Sequence, residues 1–198
     1  MRITGGLHKG VTLNSPTNNT IRPTADRVRE SLFNILHHGD LVDLDGAVAL
    51  DLFCGAGTLG LEALSRGAAA CLFIDGSASS LKLCRQNAAK VNPAAPCIFL
   101  KHDLTRAFPT AHTADIPPPA DIIFLDPPYA KNLGARAITH ICQTDFINKN
   151  TLIVMEMAAK YPEDANIPGF KLLDERKYGD TIIRFYRMIP AIPKDNRQ

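Results

Sequence analysis

Asp51-Leu52-Phe53-Cys54-Gly55-Ala56-Gly57-Thr58-Leu59-Gly60 decides how this 198-residue chain is read. The apolar run Ala47–Phe53 leads into it, and Leu59–Arg66 leaves it with helical spacing, so the glycines sit in a strand-to-helix turn. Outward from that turn, short apolar runs predict strands at Cys71–Ile74, Cys97–Leu100, Ile122–Leu125 and Thr151–Met157. Helical periods between them predict helices at Ala78–Val91 and Leu133–Cys142. Such alternation makes a parallel sheet with helices on both faces. The end breaks the pattern: Phe170–Lys177 and Thr181–Met188 are separated only by Tyr178-Gly179-Asp180, an antiparallel hairpin signal. Ahead of the loop, Thr24 caps a helix that carries Val28, Leu32 and Ile35/Leu36 on one face and ends at Gly39. The expected architecture is α/β and Rossmann-like, a mostly parallel seven-stranded sheet closing in a C-terminal antiparallel hairpin. An N-terminal β-hairpin extension spans residues 1–20, and the domain proper spans 21–198 of a single-domain chain.

Composition bounds the function. With 45% hydrophobic and 21% charged residues the chain can bury one good core. It lacks the roughly 18 unbroken apolar residues of a membrane span, and its start is polar, so a cytoplasmic, monomeric protein without a membrane is expected. Five cysteines without a CxxC pair read as reduced thiols, and the histidines form no cluster with carboxylates, so no metal is implied. The net charge of +2 conceals basic ends around an acidic middle, an arrangement that suits an anionic polymer and is equally that of an ordinary solvated surface.

The glycine loop admits any adenosine-bearing cofactor. Gly55 and Gly57 let a ligand approach the backbone, and Asp75, twenty residues beyond Gly55 at a strand end, can accept both ribose hydroxyls. Asp51 favours S-adenosylmethionine over NAD, because a carboxylate there repels a pyrophosphate and suits an ammonium. The alternative is a strand-end carboxylate bonded to nearby backbone N–H groups. Asp103 is placed to accept the adenine amino hydrogen, with Leu104 packing on the ring or donating its N–H; either residue could equally be loop or core. Phe53, just ahead of the loop, and Ser77, just after Asp75, complete the cofactor set.

Asp126-Pro127-Pro128-Tyr129 follows the strand Ile122–Leu125 at the carboxyl end of the sheet, where open α/β folds bind ligands. An exocyclic base nitrogen is a poor nucleophile because its lone pair is delocalised into the ring. Two stiff acceptors, the Asp126 carboxylate and the Pro127 carbonyl held by Pro128, would aim that lone pair, while Tyr129 stacks the base. By itself the tetrapeptide is also a plain turn. Behind this strand and this glycine loop it marks methyl transfer to an amino group. Cys97 lies at the start of the third strand, remote in sequence from this corner, and reads as a core thiol. The prolines Pro117–Pro119 mark a surface connection.

With these residues in hand, the chain resembles the RsmD family of bacterial 16S rRNA guanine-N2 methyltransferases. The likeness runs through Met1–Gly6, Ile21-Arg22-Pro23-Thr24-Ala25-Asp26-Arg27-Val28-Arg29-Glu30, Asp51–Ala68 and Asp126–Tyr129. It departs modestly, with Cys54 and Ala56 in the loop and Asp75 where Glu is frequent. The resemblance implies a class I S-adenosylmethionine-dependent fold and methyl transfer to N2 of guanine 966 in 16S rRNA. The small ribosomal subunit or its assembly intermediate would be the partner. Arg2, Lys9, Arg22, Arg27 and Arg29 are the candidate RNA contacts, although Thr24, Arg27 or Arg29 would equally meet the methionine carboxylate, or lie on a solvated helix face. Two competing functions remain: a DNA adenine-N6 methyltransferase, disfavoured by the absence of a recognition domain, and a non-catalytic nucleotide- or RNA-binding module.

Overall fold

The computed structural model describes residues 1–16, 23–108, 119–128, 133–162 and 164–189, without the side chains of residues 23–25. Along the chain run α1 (Pro23–His38), β1 (Val48–Leu52), α2 (Thr58–Ser65), β2 (Ala70–Asp75), α3 (Ala78–Val91) and β3 (Cys97–Lys101). Then follow β4 (Ile122–Leu125), α4 (Leu133–Ile141), β5 (Leu152–Ala158), β6 (Phe170–Tyr178) and β7 (Thr181–Met188). The seven strands form one sheet in the order β3-β2-β1-β4-β5-β7-β6. The pairs from β3 to β5 are parallel, and β7 is antiparallel to both β5 and β6, so the sheet closes as the hairpin signal implies.

The pattern of burial explains the order. β1 and β4 are almost wholly buried apolar runs, as central parallel strands covered on both faces must be. β6 is mixed and partly exposed, fit for an edge, and carries a register shift between Leu172 and Asp174. On one face Val28, Leu32 and Phe33 of α1, with residues of α2 and α3, pack on Ala49, Phe124 and Val154. On the other, Ala137, Ile138 and Ile141 of α4 pack on Leu50, Ile123 and Ile153. The bounds of α3 are the expected ones: the Ser77 hydroxyl accepts the Ser80 N–H at its start, and Asn92 adopts a left-handed conformation at its end.

The N-terminus differs from expectation. The two arms do pair antiparallel, through the Arg2–Thr12 bridge and bonds from Ile3 N–H to Val11 O, Gly10 N–H to Ile3 O and Leu13 N–H to Met1 O, but the chain between them is turn-rich and neither arm is a regular strand. Tertiary contacts set its shape: Ile3 and Leu13 are core residues, the Leu7 N–H donates to Ser65 O, and the Thr4 N–H and hydroxyl donate to Glu62 at 2.8 and 2.7 Å. The loop is clamped to the end of α2 rather than appended. Of Pro117–Pro119 only Pro119 lies among the described residues.

The strand order turns at β1: β2 lies on one side of it and β4 on the other. Beyond the carboxyl ends of β1 and β4 such a switch point opens a crevice. The glycine loop and Asp126 both emerge there.

Candidate active site

The glycine loop is tightly determined. Phe53 has φ +60°, an uncommon conformation for a bulky residue, followed by Gly55 at φ +53° and Gly57 at φ +78°. A side chain at Gly57 would collide with Cys84 Sγ at 2.4 Å, and one at Gly60 with Phe73 and Cys71. Those two glycines let α2 sit close to α3 and β2. Gly57 is therefore required by packing and by its positive φ, whether or not a ligand meets its backbone. A Cβ at Gly55 would meet only Phe53 O, at 3.9 Å, so Gly55 is the position that leaves the loop open.

Asp51 lies beneath the loop. It is 2% exposed, and its Oδ2 accepts the Gly60 N–H at 2.9 Å, which ties β1 to the first turn of α2. Burial, with the charges of Asp126 and Asp75, pushes its carboxyl well above the usual range despite the Gly60 bond. The backbone-bonded alternative is thus the one the geometry supports, and direct capture of an ammonium is corrected to bracing of the loop. Asp75, half-buried, accepts the Gly55 N–H at 3.0 Å through Oδ2 and the Ser77 N–H at 2.7 Å through Oδ1. Each oxygen keeps a lone pair for a further donor. Ser77 caps α3, and its hydroxyl also lies 2.7 Å from that of Ser79.

Asp103, exposed after β3, accepts from the Thr105 N–H and hydroxyl at 3.0 and 2.7 Å, and these bonds, with Arg106 nearby, lower its carboxyl. Leu104 is core, 2% exposed, so its side chain does not face a ligand. Of that pair, Asp103 is the one whose side chain is exposed.

At the end of β4 the Asp126 N–H points to Leu52 O at 3.5 Å, which keeps it beside β1. Its carboxyl opens to solvent at the mouth of the crevice but is crowded by protein behind, and loss of hydration pushes it up to about 6. Pro127 is buried and Pro128 exposed; Tyr129 lies outside the described residues. A surface depression of about 730 Å³, lined by His37, Asp43 and Arg66, lies away from all these groups.

The candidate RNA contacts divide. Arg2, Lys9 and Arg27 are exposed and line one groove of about 400 Å³ between the N-terminal loop and α1, together with Asp26 and Glu30. Arg29 is 5% exposed: it donates to Arg2 O and to Asp26 Oδ1 at 2.9 Å, and its Nε lies 3.4 Å from Glu62. It is a buried structural cation, which corrects its place among the RNA contacts and the solvated-face alternative alike. Arg22 and the Thr24 side chain lie outside the described residues.

Sequence reasoning missed two acids. Glu62, fully buried, collects Thr4, Arg29 and Arg66, with Arg66 Nε at 2.9 Å. Glu156, near the end of β5, is raised to about 8 by burial and by the charge of Asp126, against the pull of Arg29. In both cases the signal was a single acid inside an apolar element, Thr58–Ser65 and Leu152–Ala158.

The sheet order, the loop and the carboxyl groups at its open end define a class I, Rossmann-like methyltransferase. The chain belongs to the RsmD family: the family model described as "Conserved hypothetical protein 95" matches residues 1–187. It is 32% identical over 196 residues to Ribosomal RNA small subunit methyltransferase D of Haemophilus influenzae, covering 94% of this chain and 93% of that one. To the protein of that name from Escherichia coli K12 it is 30% identical over 187 residues, covering 94% and 89%. The solved structure of yhhF from Escherichia coli matches with a TM-score of 0.74 at 30% identity, over 95% of this chain and 97% of that one.

Proposed function

We propose that this methyltransferase transfers a methyl group from S-adenosylmethionine to the exocyclic N2 of a guanine in small-subunit rRNA, at guanine 966. The observation that carries the reading is the gathering of Gly55, Asp75 and Asp126 at one switch point, in a chain whose relatives are named for small-subunit rRNA methylation. The residues fit the cofactor: Gly55 is open, Asp75 keeps lone pairs for ribose hydroxyls, and the carboxyl-rich crevice offsets a ligand's positive charges. Asp103 is exposed and keeps acceptor capacity for an adenine amino hydrogen. When bound, the cofactor supplies an electrophilic methyl on sulfur.

The chain's own part is mainly positioning. Asp126 and the Pro127 carbonyl accept the amino hydrogens and turn the nitrogen lone pair toward the methyl; Tyr129 stacks the extruded base. The amino nitrogen sheds a proton on methylation, and the adjacent Asp126 carboxylate, pushed up to about 6, would be suited to receive it. Arg2, Lys9 and Arg27 meet RNA phosphates in their shared groove, with Arg22 alongside them in the proposal. The test is incubation with unmodified small subunits and mass mapping of the methylated nucleotide. One new methyl on a guanine N2 is expected; transfer only to adenine N6 of duplex DNA, or none to any nucleic acid, overturns the reading.

A further inference from the structure

Two neighbouring strands carry the same pattern, four apolar residues and then an acid: Ile122-Ile123-Phe124-Leu125-Asp126 and Leu152-Ile153-Val154-Met155-Glu156. Leu125 pairs with Met155 in parallel register, so Asp126 and Glu156 stand at the same level, one residue beyond the last matched pair. By the two-residue alternation of a strand, both belong to the face of Phe124 and Val154, which α1 covers. Adjacent strands lie roughly 4.8 Å apart, so the two carboxyls are neighbours. β5 runs on to Ala158 in register with β7, with Glu156 opposite Ile183, so Glu156 stands on a paired strand and not on a loop.

Glu156 is half-buried, and among the described residues its carboxyl has no hydrogen bond or ion pair, although Arg29 acts on it through space. An acid placed in an apolar strand without a partner is costly to the fold, which points to a partner supplied from outside. Beside Asp126 that partner is the substrate.

We infer that Glu156 is a second substrate-holding group, accepting the ring N1–H of the acceptor guanine while Asp126 accepts a hydrogen of the adjacent N2 amino group. This rests on the guanine-N2 reading above and supplies the choice of base that Asp126–Tyr129 leaves open. Guanine presents N1–H and N2–H side by side, whereas adenine presents a lone pair at N1 beside its N6 amino group. An ionised carboxylate therefore attracts the first edge and repels the second. No covalent step is added.

The test uses small subunits assembled with RNA carrying either guanine or 2-aminopurine at the acceptor position; 2-aminopurine keeps the amino group but has a bare N1. Methylation is measured at about pH 8.5, above the value of about 8 to which burial pushes the Glu156 carboxyl and below the range in which guanine N1 loses its hydrogen. Wild type should prefer guanine. Glu156→Ala should lower kcat/KM on guanine by about 10- to 150-fold, the loss expected for a hydrogen bond to a charged group, while 2-aminopurine changes by less than about threefold. Glu156→Gln, which keeps an acceptor oxygen, should stay within about fivefold of wild type on guanine, and all variants should bind S-adenosylmethionine as wild type does. Equal losses of Glu156→Ala on both bases, no loss on either, or a Gln variant as poor as the Ala variant each overturn the role of Glu156. If wild type places no methyl on guanine N2, the guanine-N2 reading itself fails.

Discussion

The carboxylates under the glycine loop, Asp51 and Asp75, and those on the neighbouring strands, Asp126 just past β4 and Glu156 within β5, are treated in opposite ways. Asp51 and Asp75 are bonded to backbone N–H groups of Gly60, Gly55 and Ser77 at 2.7–3.0 Å. The carboxyls of Asp126 and Glu156 have no hydrogen bond or ion pair among the described residues, and both are raised, to about 6 and about 8. The first pair is preorganised, holding the loop in shape before any ligand arrives. The second is left unsatisfied where a reacting group would enter. In the function proposed above, bonded carboxylates build the cofactor half and unpartnered ones serve the substrate half.

That division can be broken by substitution. The largest effect belongs to the substrate half: Asp126→Ala should lower turnover at saturating substrates by about 10²–10³-fold, the cost of one transition-state acceptor, as read from single-turnover methyl transfer. Next, Asp75→Ala should weaken S-adenosylmethionine binding by about 10- to 100-fold in calorimetry while sparing much of the turnover at saturation. Asp51→Ala leaves the buried Gly60 N–H unpaired and should cost about 1–3 kcal/mol, a fall in Tm of several degrees, whereas Asp51→Asn keeps an acceptor and should be milder. If Asp51→Ala melts like wild type, Asp51 does not brace the loop.

The acidity of Asp126 sharpens the same contrast. Its folded value is raised above the ordinary 3.8, so its protonated form favours the fold, a contribution fully present below about pH 4 and lost as pH rises through about 6. Chemistry runs the other way, because an ionised acceptor is required: the rate should climb with pH through about 6, and a rate already flat from pH 5 would contradict this. The smallest effects belong to the groove. Lys9→Gln or Arg27→Gln should weaken RNA binding only several-fold, each reducing the salt slope by about one, with cofactor affinity unmoved.

Much of this was legible in the sequence, for identifiable reasons. Apolar and strand-like runs marked every strand of the sheet to within a residue or so, and helical spacing marked α3 over its observed span. The N-terminal strands were not formed as expected, because Glu62 and Ser65, some sixty residues away, dictate the loop's shape, and no local pattern carries that. Arg29 was misread as a surface cation although Phe33, four residues on and fully buried, shares its side of α1. At the site, spacing identified Asp51, Asp75 and Asp126 as special but not which would be bonded to backbone. That depends on where the Gly60 and Gly55 N–H groups come to rest. Glu156 was overlooked although it is a lone acid in an apolar strand; it gains meaning from the β4–β5 register, which puts it beside Asp126.

The division between the two halves is tested most directly by calorimetric titration of S-adenosylmethionine into Asp126→Ala and Asp75→Ala, alongside turnover of the same samples at saturating cofactor. The account predicts that Asp126→Ala binds the cofactor within about twofold of wild type and transfers almost no methyl, while Asp75→Ala binds weakly and regains much of its turnover at saturation. Weak binding by Asp126→Ala with turnover restored at saturation would contradict it.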